Sequence, residues 1–128
     1  MQLGEKQLLK VVKKVEFGVY LGEEDSEERV LLPIKQVPEN IQVGDGLEVF
    51  LYKDSKDRLI ATTREPAVTL GQIAKLPVKE VTKIGAFLDW GLEKDLFLPF
   101  KQPTHRVHPG EECLVGLYTD KSGRLCAT

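Results

Sequence analysis

Apolar residues recur at every second position in two matching stretches of the chain, one in each half. Leu47, Val49 and Leu51 alternate with residues 48 and 50, and the same period of two recurs over residues 113–117. This period predicts half-buried β-strands, because successive side chains of a strand point to opposite faces. Turn-forming clusters follow at 54–57 and 120–123, and short strands are predicted at 58–62 and 124–128. Each half of the chain is therefore predicted to end in a β-hairpin.

The whole pattern occurs twice, at an offset of 67 residues early in each copy and 66 residues later. Residues 17–21 recur as 84–88, residues 32–36 as 98–102, and residues 58–62 as 124–128. One extra residue in the acidic loop of the first copy, 23–28, accounts for the change of offset. A duplication of this extent predicts two units with a hydrophobic core each. We expect a first unit at 1–64, a linker at 65–69 and a second unit at 70–128.

Each unit has enough β-favouring segments for five strands. The segment from Val11 to Leu21 is rich in Val, Phe and Tyr, which favour pleated surfaces. Gly18 and Gly85 lie inside such runs, where a glycine often marks a bulge or a sharp bend. Long loops are predicted at 35–44 and 101–110, before the last hairpin of each unit. The sequence therefore predicts an all-β fold of two tandem five-stranded Greek-key barrels.

The charge of the chain is small and unevenly distributed. The formal net charge is −2, with −3 on residues 1–66 and +1 on residues 67–128. The acidic excess lies mostly in the loop 23–28, which repels phosphate locally. The second half is therefore the better candidate for binding a polyanion. No apolar run approaches the roughly 20 residues that span a bilayer, and the amino terminus lacks the layout of a secretion signal.

The chain contains no pattern of catalytic or metal-binding residues with an informative spacing. No Ser/His/acid constellation has an informative spacing, and no Gly-rich phosphate loop joins a strand to a helix. Cys113 and Cys126 do not form a disulfide framework, so we expect a reducing cytoplasm. A metal site that combines them with His105 and His108 matches no zinc spacing, and buried or solvated residues are the favoured interpretation. We expect neither an enzyme nor a bound cofactor or metal.

The motifs resemble a known family. Residues 83–89 resemble the strand–bend–strand core of the S1-type RNA-binding domain, in which an aromatic, a glycine, a small residue and an aromatic follow each other. Residues 120–125 resemble the closing hairpin of the same domain, and both motifs recur in the first unit. Residues 85–96 further resemble the amino-terminal part of the conserved virulence factor B family, where such modules precede a winged-helix domain. The resemblance implies that both barrels have the oligonucleotide-binding (OB) fold and that the chain is a fragment of a longer protein.

The resemblance also implies a set of RNA-binding residues. In S1-type domains the two aromatics beside the bend stack on bases, and an Asp and an Arg of the hairpin complete that face. Ile84 replaces the first aromatic of the second unit, and Pro33 and Pro99 stand where the family often has a histidine. Trp90, in the loop after the second strand, is either a stacking platform or a lid over the barrel end. The expected RNA-binding residues are Phe17, Tyr20, Asp54, Arg58, Lys83, Phe87, Trp90, Asp120 and Arg124.

Two alternatives remain for these side chains and for the chain as a whole. The aromatics could pack in the core, and Arg58 and Arg124 could pair with Asp54 and Asp120 across the turn. The leading interpretation is a monomeric cytoplasmic module that binds single-stranded RNA weakly and without strong sequence preference, in the regulation of gene expression. The alternative is a protein–protein interaction or spacer module within a larger regulatory protein, because small barrels serve many functions. No membrane association is expected.

Overall fold

Ten strands, five in each half, form the architecture of this computed structural model, which describes residues 1–54, 56–100 and 107–128. Contacts divide the chain into two units, Met1–Arg64 and Glu65–Thr128. The residues at 65–69, predicted as a linker, cluster with the second unit, where Val68 is buried and the N–H of Ala67 donates to the carbonyl of Trp90. The part of the chain that the structure describes contains no helix with the length and apolarity needed to cross a membrane.

The first unit is a closed barrel with the strand order β1-β2-β3-β5-β4. Its strands are β1 (Lys6–Val15), β2 (Gly18–Gly22), β3 (Val30–Pro33), β4 (Gly46–Lys53) and β5 (Leu59–Thr62), with a short 3₁₀ helix (Ile34–Gln36) after β3. The parallel contact of β3 with β5, at Leu31 opposite Ile60, closes the barrel. Alternate residues of the strands fill the interior. The prediction that residues 47–51 form a half-buried strand is wrong for the second half of β4, where Phe50 and Tyr52 are buried as well as the core residues Val49 and Leu51. The core comprises Leu9, Val11, Val19, Leu21, Val30, Leu32, Ile41, Val49, Leu51 and Ala61.

The second unit repeats these strands with one difference in pairing. Its strands are β6 (Ile73–Val81), β7 (Gly85–Leu88), β8 (Leu96–Pro99), β9 (Glu112–Thr119) and β10 (Leu125–Ala127). They form a five-stranded sheet in the order β10-β9-β6-β7-β8, and no ladder pairs β8 with β10 among the described residues. The predicted loop at 101–110 lies largely outside the described residues, as do Ser55 of the first turn and His105.

The all-β prediction of two five-stranded barrels of the OB type is confirmed, with one correction inside the first barrel. The segment from Val11 to Leu21 is not a single bent strand, because β1 ends at Val15 and β2 begins at Gly18. Glu16 and Phe17 form the turn between them. The aromatic motif is therefore the turn and the return strand of a β-hairpin.

Candidate functional site

The hairpin that carries the aromatic motif needs a glycine at its return. A Cβ atom added to Gly18 would lie 2.2 Å from the carbonyl oxygen of Leu32, and one added to Gly85 would lie 2.4 Å from that of Leu98. Both distances are far below van der Waals contact, so the backbone of the next strand occupies the space of a side chain. This close approach holds the turn against the end of the third strand, where the N–H of Ile34 donates to the carbonyl of Phe17 at 2.9 Å.

Two aromatic rings of the first unit lie on the outside of the barrel. Phe17 is 54% exposed at the turn, and Tyr20 is half-buried in β2 between the core residues Val19 and Leu21. The ring centroids are 6.2 Å apart, and the planes meet edge to face at 88°. This arrangement is a favourable one for two aromatic rings, and it leaves apolar faces open to solvent. The alternative that both rings pack in the core is therefore wrong for Phe17, which is exposed, and Tyr20 is only half-buried.

The strand register surrounds Tyr20 with one cation and one apolar residue. Lys13 of β1 lies directly opposite Tyr20 on one side, and Leu31 of β3 lies directly opposite on the other. Residues directly opposite across a ladder have Cβ atoms about 5 Å apart, so the exposed Lys13 reaches the edge of the aromatic surface. We call the residues Phe17, Tyr20, Lys13 and Leu31 the first outer face.

The second unit carries the matching surface with different chemistry. Phe87 is half-buried in β7 and contacts Phe97 of β8, with ring centroids 5.2 Å apart and planes tilted at 48°. Glu80 of β6 lies directly opposite Phe87 in the register, where the first unit has a lysine. Ile84, at the position of Phe17, is 71% exposed, and the preceding Lys83 is exposed too. We call Phe87, Phe97, Glu80 and Ile84 the second outer face.

The hairpin of the first unit uses Asp54 as an internal acceptor. Its Oδ1 accepts the backbone N–H groups of Lys56 at 2.9 Å and of Arg58 at 3.0 Å, and its Oδ2 accepts Nε of Arg58 at 3.0 Å. Burial raises the pKa of Asp54, but the hydrogen bonds from Arg58 and Lys56 outweigh it and the pKa is lowered. The predicted pairing of Arg58 with Asp54 is therefore present. The Arg58 side chain is nevertheless 68% exposed, so it stays accessible.

The hairpin of the second unit repeats this geometry around Asp120. The carboxylate Oδ1 accepts the backbone N–H groups of Ser122 and Arg124 and the hydroxyl of Ser122, at 2.7–2.9 Å. The hydrogen bond from the backbone of Arg124 is the main cause that lowers the pKa of Asp120 to about 2. Both aspartates thus use their carboxylates to close the turn, and the Asp-x-x-x-Arg motif is a structural signature of the hairpin. These hydrogen bonds fix the backbone at Arg58 and at Arg124.

The structure does not support Trp90 as a stacking platform. The side chain is 2% exposed, and its Nε1 donates to the carbonyl of Lys94 at 2.6 Å. Gly91 follows with a φ of +92°, and its N–H donates to Asp89 Oδ1 at 3.0 Å. A buried tryptophan whose N–H is satisfied internally has no face left for a base, so the RNA-binding assignment of Trp90 is withdrawn. Its indole hydrogen bond joins two residues of the same loop of the second unit.

Four residues of the outer faces were not foreseen from the sequence: Lys13, Leu31, Glu80 and Phe97. Leu31 and Phe97 lie beside the predicted aromatics through the register of β2 with β3 and of β7 with β8. Lys13 and Glu80 do so because β1 and β6 each contain an irregularity, between Val11 and Lys13 and between Val78 and Glu80. Strict alternation from Val11 would have directed Lys13 into the core. The equal spacing of these bulges in the two repeats was the available signal, since a bulge reverses the face of every residue after it.

Metal chemistry finds no support in the described part of the chain. Residues 1–54, 56–100 and 107–128 contain no group of three or more His, Cys, Asp or Glu side chains arranged to hold an ion. Burial is the main cause that raises the pKa of Cys113 and of Cys126, which keeps both thiols protonated.

Comparisons with known proteins agree with this geometry. The sequence model of the S1 domain matches residues 3–64 and again residues 70–128. The chain is 30% identical over 132 residues to the uncharacterized protein YitL of Bacillus subtilis (strain 168), a match that covers 99% of this chain and 44% of YitL. A crystal structure of a multidomain protein with nucleic acid binding domains from Streptococcus pneumoniae TIGR4 superposes with a TM-score of 0.80 at 22% identity.

That superposition covers 98% of this chain and 45% of the pneumococcal chain, so this chain spans less than half the length of either relative. The pneumococcal structure supports the fold of both units, and the matched ranges include both outer faces and both closing hairpins. The predicted resemblance is therefore confirmed, and the chain belongs to the S1 domain family, of which it carries two copies in tandem.

Proposed function

We propose that this chain binds single-stranded RNA, weakly and without strong sequence preference, through the first outer face. The observation that carries the proposal is the exposed edge-to-face pair of Phe17 and Tyr20 with Lys13 directly opposite Tyr20. Every base has a π face, so an exposed ring can stack on any nucleotide, and each stack contributes about 1–3 kcal/mol. A cation beside the rings adds a phosphate contact.

Arg58 extends the same face by a second phosphate contact. The register runs from Tyr20 through Leu31 of β3 to Ile60 of β5, and Arg58 comes two residues before Ile60. Two strand spacings amount to about 10 Å, so Arg58 reaches a neighbouring nucleotide rather than the one stacked on Tyr20. Its exposed ion pair with Asp54 contributes only about 0–1 kcal/mol, so the guanidinium can turn to a phosphate at small cost.

Membership of the S1 domain family and the description of the pneumococcal relative as carrying nucleic acid binding domains support this assignment. Because the relatives are more than twice as long, the role of the whole protein is a separate part of the proposal. We propose that this pair of barrels acts as a monomeric cytoplasmic module in the regulation of gene expression at the level of RNA. Their small net charge of −2 fits an interaction carried by stacking and a few phosphate contacts.

The proposal is tested by fluorescence anisotropy of a labelled single-stranded RNA of mixed sequence, titrated with the chain at low and at moderate salt. The variants are Phe17→Ala and Tyr20→Leu, and the second keeps apolar packing beside Leu31 without a ring. The matched control is Leu8→Ala, since Leu8 is a 71% exposed apolar residue of the same unit on the β1–β4 ladder.

Each of the two ring variants is expected to weaken binding by about 1–3 kcal/mol, which is about 5-fold to 150-fold, while Leu8→Ala leaves it unchanged. Binding should also weaken with salt, by a slope of about 0.7 for each phosphate neutralised. Absence of binding at low salt, or equal affinities of Phe17→Ala and Leu8→Ala, would show that the first outer face does not bind RNA.

A second candidate function, protein docking, is favoured by one observation in the second unit. Ile73 of β6 and Leu114 of β9 are 71% and 67% exposed on the outside of the same ladder. At the corresponding positions the first unit has the charged residues Lys6 and Glu48. An apolar docking contact would be insensitive to salt and to Phe17→Ala, and weakened by Leu114→Ala, so the same titrations separate the two functions.

A further inference from the structure

The two outer faces differ in the charge held beside the central ring. In each unit the first strand has an irregularity, and the residue after it lies directly opposite the aromatic of the second strand. That residue is Lys13 opposite Tyr20 in the first unit and Glu80 opposite Phe87 in the second. The repeat thus places opposite charges at one structural position.

Neither of these two charges is neutralised by a salt bridge within the described ranges of the chain. Lys13 and Glu80 are both exposed, and neither takes part in an ion pair with another described residue. The exposed Lys79 beside Glu80 forms an ion pair with Asp95 of the following loop at 3.0 Å. Among the described residues, no cation therefore forms an ion pair with Glu80 at its position in register with Phe87.

Other differences between the faces are smaller or compensate each other. Ile84 replaces Phe17, which removes one ring, while Phe97 replaces Leu31, which adds one. The turns carry the reverse charges, Glu16 in the first unit and Lys83 in the second. A turn residue has no partner in the ladder, whereas the register holds Lys13 and Glu80 beside the central ring. Their sign therefore sets the charge that a phosphate would meet beside a base stacked there.

We infer that Glu80 is a specificity-determining residue that keeps the nucleic-acid backbone away from the second outer face, so that the first unit carries the RNA affinity of the chain. This inference rests on the proposed function. A base stacked on Phe87 would bring its phosphates within several ångströms of the carboxylate, and like charges at that separation repel appreciably even in water. In the first unit the same approach meets Lys13 and is attractive.

The test begins from a chain whose first outer face is disabled, by Phe17→Ala combined with Tyr20→Leu. Adding Glu80→Lys to this background reverses the charge at the register position of the second face. The matched control is Glu112→Lys, which changes the net charge equally on an exposed residue of the β6–β9 ladder. A last variant adds Phe87→Leu to Glu80→Lys, which keeps apolar packing against Phe97 while it removes the ring.

Glu80→Lys is expected to tighten binding of the labelled single-stranded RNA by about tenfold over the background, and Glu112→Lys by about twofold or less. Glu80→Lys should also steepen the salt dependence by about 0.7, the value for one added phosphate contact. Phe87→Leu should abolish the gain. Amide NMR spectra of each variant establish that the second unit stays folded.

Three outcomes overturn the inference, and they are distinguishable from each other. If the background chain keeps wild-type affinity and loses it when Phe87→Leu is added with Glu80 left in place, the second face binds RNA, and the inference fails together with the assignment of binding to the first outer face. If Glu80→Lys gains no more than Glu112→Lys, the charge at the register position has no special effect, and only the inference fails. If the wild-type chain binds no RNA at low salt, the proposed function and the inference fail together.

Discussion

Replacing Gly18 by alanine is the substitution for which the structure gives the sharpest expectation. The new Cβ would lie 2.2 Å from the carbonyl oxygen of Leu32 and 3.1 Å from its carbonyl carbon. The φ of Gly18 is +154°, a value that residues with a Cβ rarely adopt. The contacting atoms belong to the backbone of β3, so no side-chain rotation relieves the overlap. The strands β2 and β3 must separate by about 1 Å to restore van der Waals contact.

The cost follows from what such a separation breaks. The hydrogen bond from the N–H of Ile34 to the carbonyl of Phe17, 2.9 Å long, joins the turn to the end of β3. Its loss costs about 1 kcal/mol, the backbone strain costs about 1–2 kcal/mol, and weakened β2–β3 pairing adds about 1 kcal/mol. We therefore expect Gly18→Ala to lower the free energy of unfolding of the first unit by about 3–4 kcal/mol. RNA affinity should fall as well, because the same turn carries Phe17.

Two other glycines separate steric overlap from backbone strain. Gly44 has a φ of +98° and nothing within 4 Å of its added Cβ, so Gly44→Ala should cost only the strain, about 1 kcal/mol. A Cβ added to Gly85 would lie 2.4 Å from the carbonyl oxygen of Leu98, and Gly85 has no positive φ. Gly85→Ala therefore measures the effect of steric overlap without backbone strain, in the second unit.

The assay is urea denaturation followed by the amide NMR signals of β2 and β3, and of β7 and β8 for Gly85→Ala. Signals resolved by residue are needed because the two units can unfold separately, and one global transition would then mix them. The reasoning is refuted if Gly18→Ala and Gly44→Ala destabilise the first unit equally, to within about 0.5 kcal/mol. Backbone proximity at the hairpin would then not be the reason for the glycine.

Two further predictions concern the second unit. Because the folded-state pKa of Asp120 is lowered from 3.8 to about 2, its stabilisation of the hairpin is fully present above about pH 4 and is lost as the pH falls towards 2. The amide proton shift of Arg124 should titrate with a midpoint near 2, and a midpoint near 4 would contradict the hydrogen-bond assignment. Trp90→Phe removes the donor to the carbonyl of Lys94 and should destabilise the second unit by about 1–3 kcal/mol in urea denaturation. It should leave RNA affinity unchanged, and a clear loss of affinity in a folded variant would contradict the structural role of the tryptophan.

The duplication made the fold predictable from the sequence. A repeated period of two, with turn residues at fixed offsets, is local information, and strands and hairpins follow from it directly. The sequence pattern did not indicate that one strand ends and the next begins within the segment from Val11 to Leu21, because Glu16 and Phe17 are not typical turn residues. The tight return at this point depends instead on the missing side chain of Gly18 against β3, which is a contact between strands distant in sequence.

The candidate site was predictable in its rings and not in its charges. Phe17 is exposed and Tyr20 and Phe87 are half-exposed on the outer faces, where the family motif places them, but net charge pointed to the second half as the polyanion-binding side. Net charge counts the acidic loop 23–28 equally with residues beside the rings. The charges on which our inference rests, Lys13 and Glu80, follow the irregularities in β1 and β6, and a single inserted residue reverses the face of every residue that comes after it.

Comparison of the two copies therefore separates the features that the barrel requires from the features that it leaves free to vary. They share the glycine that seats the turn, the aspartate that closes the last hairpin and the ring at the centre of the outer face. These shared features are required by the barrel or by its motif, so they cannot decide which copy binds. Only at a position that the fold does not constrain can the two copies carry residues of opposite charge without a loss of stability. Lys13 and Glu80 occupy such a position, exposed and in register with the ring, and for that reason the difference between the barrels is expected to lie there.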